Sequence, residues 1–241
     1  MVIYETKGRA REYCEHAVNL YTGCGHGCVY CYAPDILNKD RNTYINAKPR
    51  PNILKELERE CAILTSSMFF KPFYVLLSFI TDPYQPAEVE YKITRRAIEI
   101  LHSYGFPVMI LTKGGKRALR DFDLLTNKDW FGVTLTLLDE TMSRKWEPYA
   151  ALPEERIETL KIAHNKGIKT WVSLEPVLYP DVTLEIIKKT HTFVDEFKVG
   201  ILNYHEHSKS INWHKFAHDV LKLLVSLNCH YYIKHDLRKF L

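Results

Sequence analysis

The stretch Asn19-Leu-Tyr-Thr-Gly-Cys24-Gly-His-Gly-Cys28-Val-Tyr-Cys31-Tyr-Ala-Pro34 contains the features that decide the fold of this 241-residue chain. It begins at the end of an apolar, β-branched run, so it lies where a loop leaves the C-terminal end of a strand. Its three cysteines fall within eight residues at the spacing C-x3-C-x2-C, which can direct three thiolates to one polynuclear centre. Gly23, Gly25 and Gly27 allow the tight backbone turns that such convergence needs.

The number of clustered cysteines favours an open iron–sulfur cluster. Three thiolates are one fewer than the four that hold an electron-transfer cluster, so one iron keeps a free position for a small molecule. A zinc site is the first alternative, with Cys14, Cys61 or His26 as its fourth ligand. The cysteine ligands of zinc sites usually come as a C-x2-C pair with a second ligand pair downstream, and this chain has no second pair. The second alternative is that the three thiols are simply buried and bind no metal.

Length and composition indicate a globular protein with one sizeable core. Hydrophobic residues make up 46% of the chain and charged residues 26%. No run approaches the roughly 18 apolar residues of a membrane helix, and the N-terminus lacks an apolar signal segment. We therefore expect a cytoplasmic protein with no membrane partner. The net charge of +4 fits a nucleic-acid binder, but it fits an ordinary enzyme equally well.

Short apolar runs alternate with helical patterns along the chain. Most of the runs are continuous, as expected for parallel strands that are covered on both faces. The predicted strands cover residues 17–21, 74–79, 108–112, 131–135, 170–174 and 197–201. The predicted helices cover residues 51–64, 93–104, 153–166 and 213–227.

The regular alternation predicts right-handed βαβ units and a parallel sheet in an α/β protein. Spacing alone leaves open whether the sheet forms a partial barrel or a doubly wound sheet. In both architectures the functional residues lie at the C-terminal ends of the strands. No linker or low-complexity tract divides the chain, so we predict a single domain over 1–241. Its core spans about 17–205, and a helix-and-strand extension covers about 206–241.

The cysteine stretch resembles the radical S-adenosylmethionine (SAM) superfamily, in which C-x3-C-x-aromatic-C follows the first strand. The longer text YTGCGHGCVYCYAP looks like the branch related to spore photoproduct lyase, often called DNA repair photolyase-like. Four other segments support this branch: LSFITDPYQPAE (77–88), LTKGGKRALRDFDLL (111–125), VTLTLLDETMSRKWEPYA (133–150) and WVSLEPVLYP (171–180). The resemblance spans roughly 17–205 and implies a partial (β/α)6 TIM-like barrel of the radical SAM type.

The resemblance also implies the cofactors, a [4Fe–4S] cluster and SAM. Cys24, Cys28 and Cys31 would ligate three irons, and SAM would chelate the fourth. Reductive cleavage of SAM would then yield methionine and a 5′-deoxyadenosyl radical that abstracts hydrogen from a substrate. The sequence does not identify this substrate, and a nucleic-acid lesion is one candidate. A reductant such as a flavodoxin or ferredoxin would supply the electron.

Several SAM contacts follow from the same resemblance. Tyr30 occupies the aromatic position that packs near adenine in the family, with a core tyrosine as the alternative, and Tyr32 fits either role. Lys113 is similar to a lysine that pairs with the SAM carboxylate in the photoproduct lyase branch. Thr134 matches a hydroxyl position near the methionine moiety, with a plain strand residue as the alternative.

Polar residues at other strand ends complete the predicted site. Ser78, Thr81 and Asp82 lie where radical SAM proteins often contact the SAM amino group, although an aspartate before proline is equally typical of a turn. Glu147 and Glu175 are candidates for a ribose contact, with an exposed or ion-paired carboxylate as the alternative for each. Glu175 follows an apolar strand and should point into the barrel mouth, so it is the favoured one.

Two further charged groups have ordinary explanations. His205 and His207 could form a second metal site, but a solvated loop is the more common setting for such a pair. Lys116, Arg117 and Arg120 could follow phosphates along a helix face, but a solvated face is more common. We therefore expect both groups to face solvent.

The chain departs from spore photoproduct lyase at one position. That enzyme uses a cysteine near the end of its second strand as a hydrogen donor, and Phe79 occupies the matching position here. Thymine-dimer reversal by that route is therefore not predicted. The competing hypothesis from another class is a zinc-stabilised, non-catalytic nucleic-acid-binding module.

Overall fold

The computed structural model describes residues 1–241, in which short strands alternate with helices. The strands are β1 (Tyr4–Glu5), β2 (His16–Val18), β3 (Tyr21–Thr22), β4 (Lys48–Pro49), β5 (Val75–Leu77), β6 (Val108–Thr112), β7 (Trp130–Thr134), β8 (Lys169–Leu174), β9 (Glu196–Val199) and β10 (Tyr231–Ile233). The α-helices are α1 (Ala33–Ile36), α2 (Arg41–Tyr44), α3 (Ile53–Thr65), α4 (Glu88–Tyr91), α5 (Ile93–Ser103), α6 (Glu140–Trp146), α7 (Pro153–Asn165), α8 (Pro180–Thr190), α9 (Trp213–Ser226) and α10 (His235–Arg238). None of them combines the length and apolar character that crossing a bilayer requires.

Eight of the strands form one sheet in the order β1-β2-β5-β6-β7-β8-β9-β10. Every neighbouring pair is parallel except β1 with β2. The parallel strands follow chain order without a reversal, whereas a doubly wound sheet reverses its order at a switch point. The two outer strands do not pair with each other, so the sheet is an open, partial barrel. The predicted partial barrel is therefore confirmed, and five of the six predicted strands correspond to β5 to β9.

Apolar residues pack on both faces of this sheet. The larger core, 46 buried residues, contains side chains of the strands and of the surrounding helices. A second cluster packs among the strands and the N-terminal segment and consists of Tyr13, Ala17, Leu76, Met109 and Trp171. Gly132 leaves the space that the Trp171 indole fills, because a Cβ atom at Gly132 would overlap the ring. Trp171 Nε1 also donates to the Ile110 carbonyl at 2.9 Å, so this large side chain is fixed in place.

The helices begin and end where local sequence signals predict. Helix α7 starts with Pro153 and carries Glu154 and Glu155 in its first turn, where the helix dipole favours acidic side chains. It ends before Gly167, whose φ of +77° suits the left-handed conformation that follows many helices. The four predicted helices correspond to α3, α5, α7 and α9. Helix α8, which begins at Pro180, was not predicted.

Two segments differ from the sequence prediction. The predicted strand at 17–21 is divided, since β2 ends at Val18 and β3 pairs with β4 in a separate two-stranded sheet. Asn19 causes the break, because its Oδ1 accepts from the Phe79 amide at 2.8 Å and its Nδ2 donates to Tyr4 Oη at 2.8 Å. The predicted helix face at 116–120 lies in a 3₁₀-helix, Gly115–Asp121.

The N-terminal segment crosses the open side of the barrel. Strand β1 lies at one edge of the sheet, and the 3₁₀-helix Gly8–Glu12 then reaches the opposite edge at β10. Glu12 accepts from the His235 amide at 2.6 Å, and Lys198 Nζ donates to the Glu12 carbonyl at 3.2 Å. Arg9 forms an ion pair with Asp236. Residues outside the predicted core at 17–205 therefore build one wall of the barrel.

Candidate active site

A cavity of about 730 Å³ opens at the C-terminal ends of the parallel strands. This volume lies in the range of small-molecule binding sites. Parallel strands end at one edge of the sheet, so residues far apart in sequence meet there. The cavity wall includes Cys24, Cys28, Tyr30, Cys31, Tyr32, Ser78, Asp82, Lys113, Thr134 and Glu175. The structure thus brings together all ten residues of the predicted site, whose individual roles stay predictions.

The chemistry of the three thiols fits a positively charged centre. Burial raises the pKa of each thiol, that of Cys28 to about 12, so the free thiols are neutral at physiological pH. Metals bind cysteine as thiolate, and their charge compensates for the buried negative charge. No three His, Cys, Asp or Glu side chains lie close enough to share one metal ion. Cys24, Cys28 and Cys31 would hold a cluster with each thiolate on a different iron.

Two glycines give the cysteine loop its shape. Gly23 has φ +82°, and a side chain there would collide with the Tyr44 carbonyl. That carbonyl accepts from the Cys24 amide at 2.9 Å. Gly27 has φ +64°, and a Cβ atom there would crowd Ile45 and Tyr149. The predicted tight turns therefore occur at these two positions.

Asp82 connects the cysteine loop to two strand ends. Its carboxylate lies 3.1 Å from His26 Nε2 and accepts from Thr112 Oγ1 at 2.6 Å, the Lys113 amide at 2.8 Å and the Tyr84 amide at 2.8 Å. Burial alone would raise the pKa of Asp82, but His26 and these hydrogen bonds outweigh it and hold the pKa well below its usual range. Both oxygens are engaged by the protein. The hydrogen bond from the Tyr84 amide, two residues later, is the turn contact that the alternative for Asp82 predicts.

Replacing Asp82 by Asn should lower the free energy of unfolding by about 2–3 kcal/mol, because an amide nitrogen would face a hydrogen-bond donor. The pKa of this carboxyl is lower in the folded than in the unfolded chain. The contribution of this carboxyl to the free energy of unfolding is therefore full above about pH 3.9, and it decreases as the pH falls toward the folded pKa. Urea unfolding should show the difference between wild type and variant shrinking below that pH. Asp123→Asn at the surface is the matched control, and an equal loss in that variant would contradict the assignment.

The prediction that Lys116, Arg117 and Arg120 form a solvated face is wrong for the two arginines. Arg117 Nε donates to the Tyr84 carbonyl at 2.7 Å. Arg120 pairs with the buried Glu88 at 2.6 Å and with Asp121 at 2.7 Å. Only Lys116 faces solvent, where it pairs with a surface glutamate. The arginines hold segments together and are not available to follow phosphates.

A buried ion pair lies behind the cysteine loop. Arg156 Nη2 and Glu147 Oε2 are 2.5 Å apart, and each residue is 1% exposed. Tyr30 donates its hydroxyl proton to Glu147, and Arg156 Nη1 donates to the Thr134 carbonyl at 2.9 Å. Glu147 is absent from the cavity wall and pairs with Arg156, so the ion-paired alternative describes it and the ribose contact does not.

Lys113 is an unpaired cation in the cavity wall. Its Nζ lies 5.6 Å from the centroid of the Tyr30 ring and forms no hydrogen bond or ion pair with the protein. Burial would lower the pKa of Lys113, but the nearby Cys28 and Glu147 outweigh it and raise the pKa. The amine is therefore charged at neutral pH and can bind an anion.

Two hydroxyl residues lie at strand ends beside this cation. Ser78 follows β5 with φ +74°, a conformation that costs a residue with a side chain of order 1–3 kcal/mol. Its Oγ is buried and has no hydrogen-bond partner in the protein. Thr134 ends β7, is 3% exposed and lines the cavity.

The opposite wall contains two residues that sequence reasoning missed. Glu175 faces the cavity as predicted, and its Oε2 accepts from Tyr13 Oη and from Lys234 Nζ, both at 2.5 Å. Its Oε1 has no donor in the protein. Tyr13 and Lys234 belong to the N-terminal segment and to the end of β10, both outside the predicted core. No local pattern marks them, because only closure of the barrel brings them to Glu175.

The two histidines after β9 are partly exposed and pack against an aromatic ring. His205 and His207 pack against the Trp146 ring with centroid distances of 5.2 and 5.5 Å. His207 Nε2 also lies 2.8 Å from the Leu178 carbonyl. The expectation of a solvated pair therefore holds only in part, because one side of each ring covers Trp146.

Comparison with known families identifies the class of this site. The family model of the radical SAM superfamily matches residues 18–194, which is most of the chain. The chain belongs to the radical SAM superfamily. Proteins of this superfamily are enzymes that use a [4Fe–4S] cluster and SAM. The matched range contains the cysteine loop and β3 to β8, and it excludes the N-terminal segment, β9 and β10.

Relatives of this radical SAM protein occur in archaea, bacteria and an archaeal virus. An uncharacterized protein of Methanocaldococcus jannaschii is 26% identical over 78% of this chain and 71% of its own length. Uncharacterized proteins of Acidianus two-tailed virus and Mycobacterium tuberculosis are each 28% identical, over 72% and 70% of this chain. The chain spans 59% and 51% of the length of these last two relatives.

Solved structures share the fold of this radical SAM protein at low sequence identity. Spore photoproduct lyase with bound AdoMet and dinucleoside spore photoproduct has a TM-score of 0.72 and 12% identity, covering 97% of this chain and 79% of the lyase. Streptococcus suis SuiB bound to S-adenosylmethionine has a TM-score of 0.68 and 12% identity, covering 90% of this chain and 49% of SuiB. At this identity the similarity establishes the common fold.

Proposed function

We propose that this protein is a radical SAM enzyme in which Cys24, Cys28 and Cys31 hold a [4Fe–4S] cluster and the cavity binds SAM. One observation carries the proposal: the three thiols and the unpaired Lys113 cation line the same cavity at the strand ends. A centre that is chelated by the amino and carboxylate groups of SAM needs such a cation close to its thiolates.

The residues of the cavity wall have distinct roles in this proposal. Lys113 binds the SAM carboxylate, and the free hydroxyl of Ser78 hydrogen-bonds to the polar end of SAM. Thr134 lies beside the methionine moiety, Tyr30 and Tyr32 contact the adenine, and Glu175 uses its free Oε1 for the ribose. Asp82 fixes the loops rather than contacting SAM, since both of its oxygens are already hydrogen-bonded.

When bound, the cluster and SAM supply reductive cleavage of the sulfonium C–S bond and a 5′-deoxyadenosyl radical that abstracts hydrogen from the substrate. The chain's own contribution is to position the reactants and to exclude water. Trp171 and Met109 pack between the strands, and the N-terminal segment with Tyr13 covers the open side. A small protein reductant such as a flavodoxin or ferredoxin supplies the electron.

One side chain argues against repair through a cysteine thiol. Phe79, which the sequence resemblance matches to the hydrogen-donating cysteine of spore photoproduct lyase, lines the cavity, and Cys14, Cys61 and Cys229 are absent from the cavity wall. A nucleic-acid substrate is compatible with the fold that the chain has in common with the lyase, but repair through that thiol is not part of this proposal.

The proposal is tested by anaerobic reconstitution of the wild-type protein with iron and sulfide. We expect roughly four irons per chain. After reduction with dithionite, SAM should be cleaved to methionine and 5′-deoxyadenosine, which chromatography detects. A protein that takes up zinc but no acid-labile sulfide, and leaves SAM intact, would support the zinc module instead.

Lys113→Met should weaken SAM binding by roughly 10- to 100-fold, because a charge-assisted hydrogen bond is lost from a desolvated site. Titration calorimetry with the reconstituted protein measures this change. Lys116→Met removes a neighbouring cation that pairs at the surface with Glu158, and it should leave SAM affinity unchanged. Equal SAM affinities for wild type and Lys113→Met would show that Lys113 does not bind SAM.

A further inference from the structure

We infer that Gln85 is a positioning residue that holds the backbone around Cys24 in the shape required by the cluster. The inference rests on the proposed function, since it concerns the loop that would carry the cluster. The sequence singled out the segment 77–88 only as part of a family resemblance, and its glutamine had no assigned role.

The side chain of Gln85 contacts the cysteine loop on both sides of Cys24. Its Oε1 accepts from the Gly25 amide at 2.7 Å. Its Nε2 donates to Thr81 Oγ1 at 2.9 Å, and Thr81 Oγ1 in turn donates to the Gly23 carbonyl at 2.7 Å. The amide thus engages the loop residues immediately before and after the cysteine.

Burial increases the cost of losing these hydrogen bonds. Gln85 is 0% exposed, so a backbone group that lost its partner here would have little access to water. A Cβ atom built on Gly25 would lie 3.3 Å from Pro86 Cδ, so the loop and the segment that holds it pack closely. On its other side the loop is held by the Tyr44 carbonyl, which accepts from the Cys24 amide.

Gln85 has no contact that suggests another role. It is absent from the cavity wall, and the hydrogen bonds of its side chain all go to the cysteine loop or to Thr81. A preformed loop reduces the ordering cost when a ligand binds, so holding Cys24 in place should increase the affinity of the site for iron. The expected role is therefore preorganisation of the cluster site, not contact with SAM or substrate.

The first experiment needs no metal. Gln85 is the only glutamine in the chain, so selective ¹⁵N-glutamine labelling yields one side-chain amide group in a nitrogen-correlated NMR spectrum. In the metal-free protein its two protons should be shifted from the random-coil position and exchange slowly with water. An amide pair at the random-coil position with fast exchange would overturn the inference, whatever the metal content of the protein.

The second experiment compares three variants during anaerobic reconstitution at limiting iron. Gln85→Leu fills the same space without hydrogen bonds, and its apparent iron affinity should fall roughly fivefold or more. Gln85→Glu keeps an acceptor for the Gly25 amide but loses the donor to Thr81, so it should recover only part of the affinity. Thr94→Val is the matched control, because it removes another buried hydrogen bond, from Thr94 Oγ1 to the Pro83 carbonyl at 2.6 Å. It should bind iron like the wild type.

The outcomes separate this inference from the proposed function. Wild-type iron uptake by Gln85→Leu, or an equal loss in Thr94→Val, would show that Gln85 has no positioning role. Wild-type protein that binds no cluster at all would overturn the proposed function, and the NMR measurement on the metal-free chain would still test the loop contacts. If Gln85→Leu does not fold, Gln85→Glu and the NMR signal decide the question.

Discussion

Cys28→Ala should lose the iron–sulfur cluster and SAM cleavage together. Cys28 lies between the other two cysteines in the loop, and its pKa is raised to about 12 by burial, so it binds as thiolate only when a metal compensates for the charge. Two thiolates cannot hold a cluster that already lacks one protein ligand. Iron and acid-labile sulfide should fall to background, and 5′-deoxyadenosine should not form with dithionite.

Cys229→Ala is the matched control for this variant. Cys229 packs against the main core near the C-terminus and does not line the cavity. The control should keep the iron content and SAM cleavage of the wild type. Wild-type iron content in Cys28→Ala would contradict the cluster assignment, and loss of iron in Cys229→Ala would point to a general folding defect.

Glu147→Ala should produce the largest loss of stability, about 3–5 kcal/mol, because it leaves the Arg156 guanidinium buried without its partner. For a chain of this size the melting temperature should fall by roughly 10 °C, which circular dichroism detects. Glu158→Ala removes a surface ion pair with Lys116 and should cost less than about 1 kcal/mol. Similar losses in both variants would contradict the importance of the buried pair.

The same pair makes stability depend on pH. Burial would raise the pKa of Glu147, but Arg156 and Lys113 outweigh it and lower the pKa. A carboxyl with a lowered pKa in the folded state contributes fully above its unfolded pKa, and the contribution decreases as the pH falls. The difference between wild type and Glu147→Ala should therefore be largest near neutral pH. A difference that grows in acid would contradict this assignment.

The arrangement of the cavity shows why local patterns located most of the site. Cys24, Lys113, Thr134 and Glu175 each lie at or just after a predicted strand, and strand ends of a parallel sheet meet at one edge. Once the strands are recognised, their terminal polar residues become site candidates without knowledge of side-chain contacts. The roles of these residues toward the cluster and SAM stay predictions.

Local patterns were wrong where a side chain has a distant partner. Glu147 was one of two candidates for a ribose contact, yet Arg156 holds it inside the protein. Arg117 and Arg120 were expected on a solvated face, yet they bond to the Tyr84 carbonyl and to Glu88. In each case the partner is at least nine residues away, so no periodicity could indicate it.

The sequence by itself determined the parallel α/β fold and the placement of candidate residues at strand ends, because strand periodicity, helix end signals and cysteine spacing are all local. Only the tertiary structure decided which charges are paired, which residues cover the open side of the barrel and which side chain holds the cysteine loop. Tyr13, Gln85 and Lys234 act through contacts that exist only after the sheet has curved. Burial gives those contacts their strength, and burial is a property of the whole fold rather than of any segment.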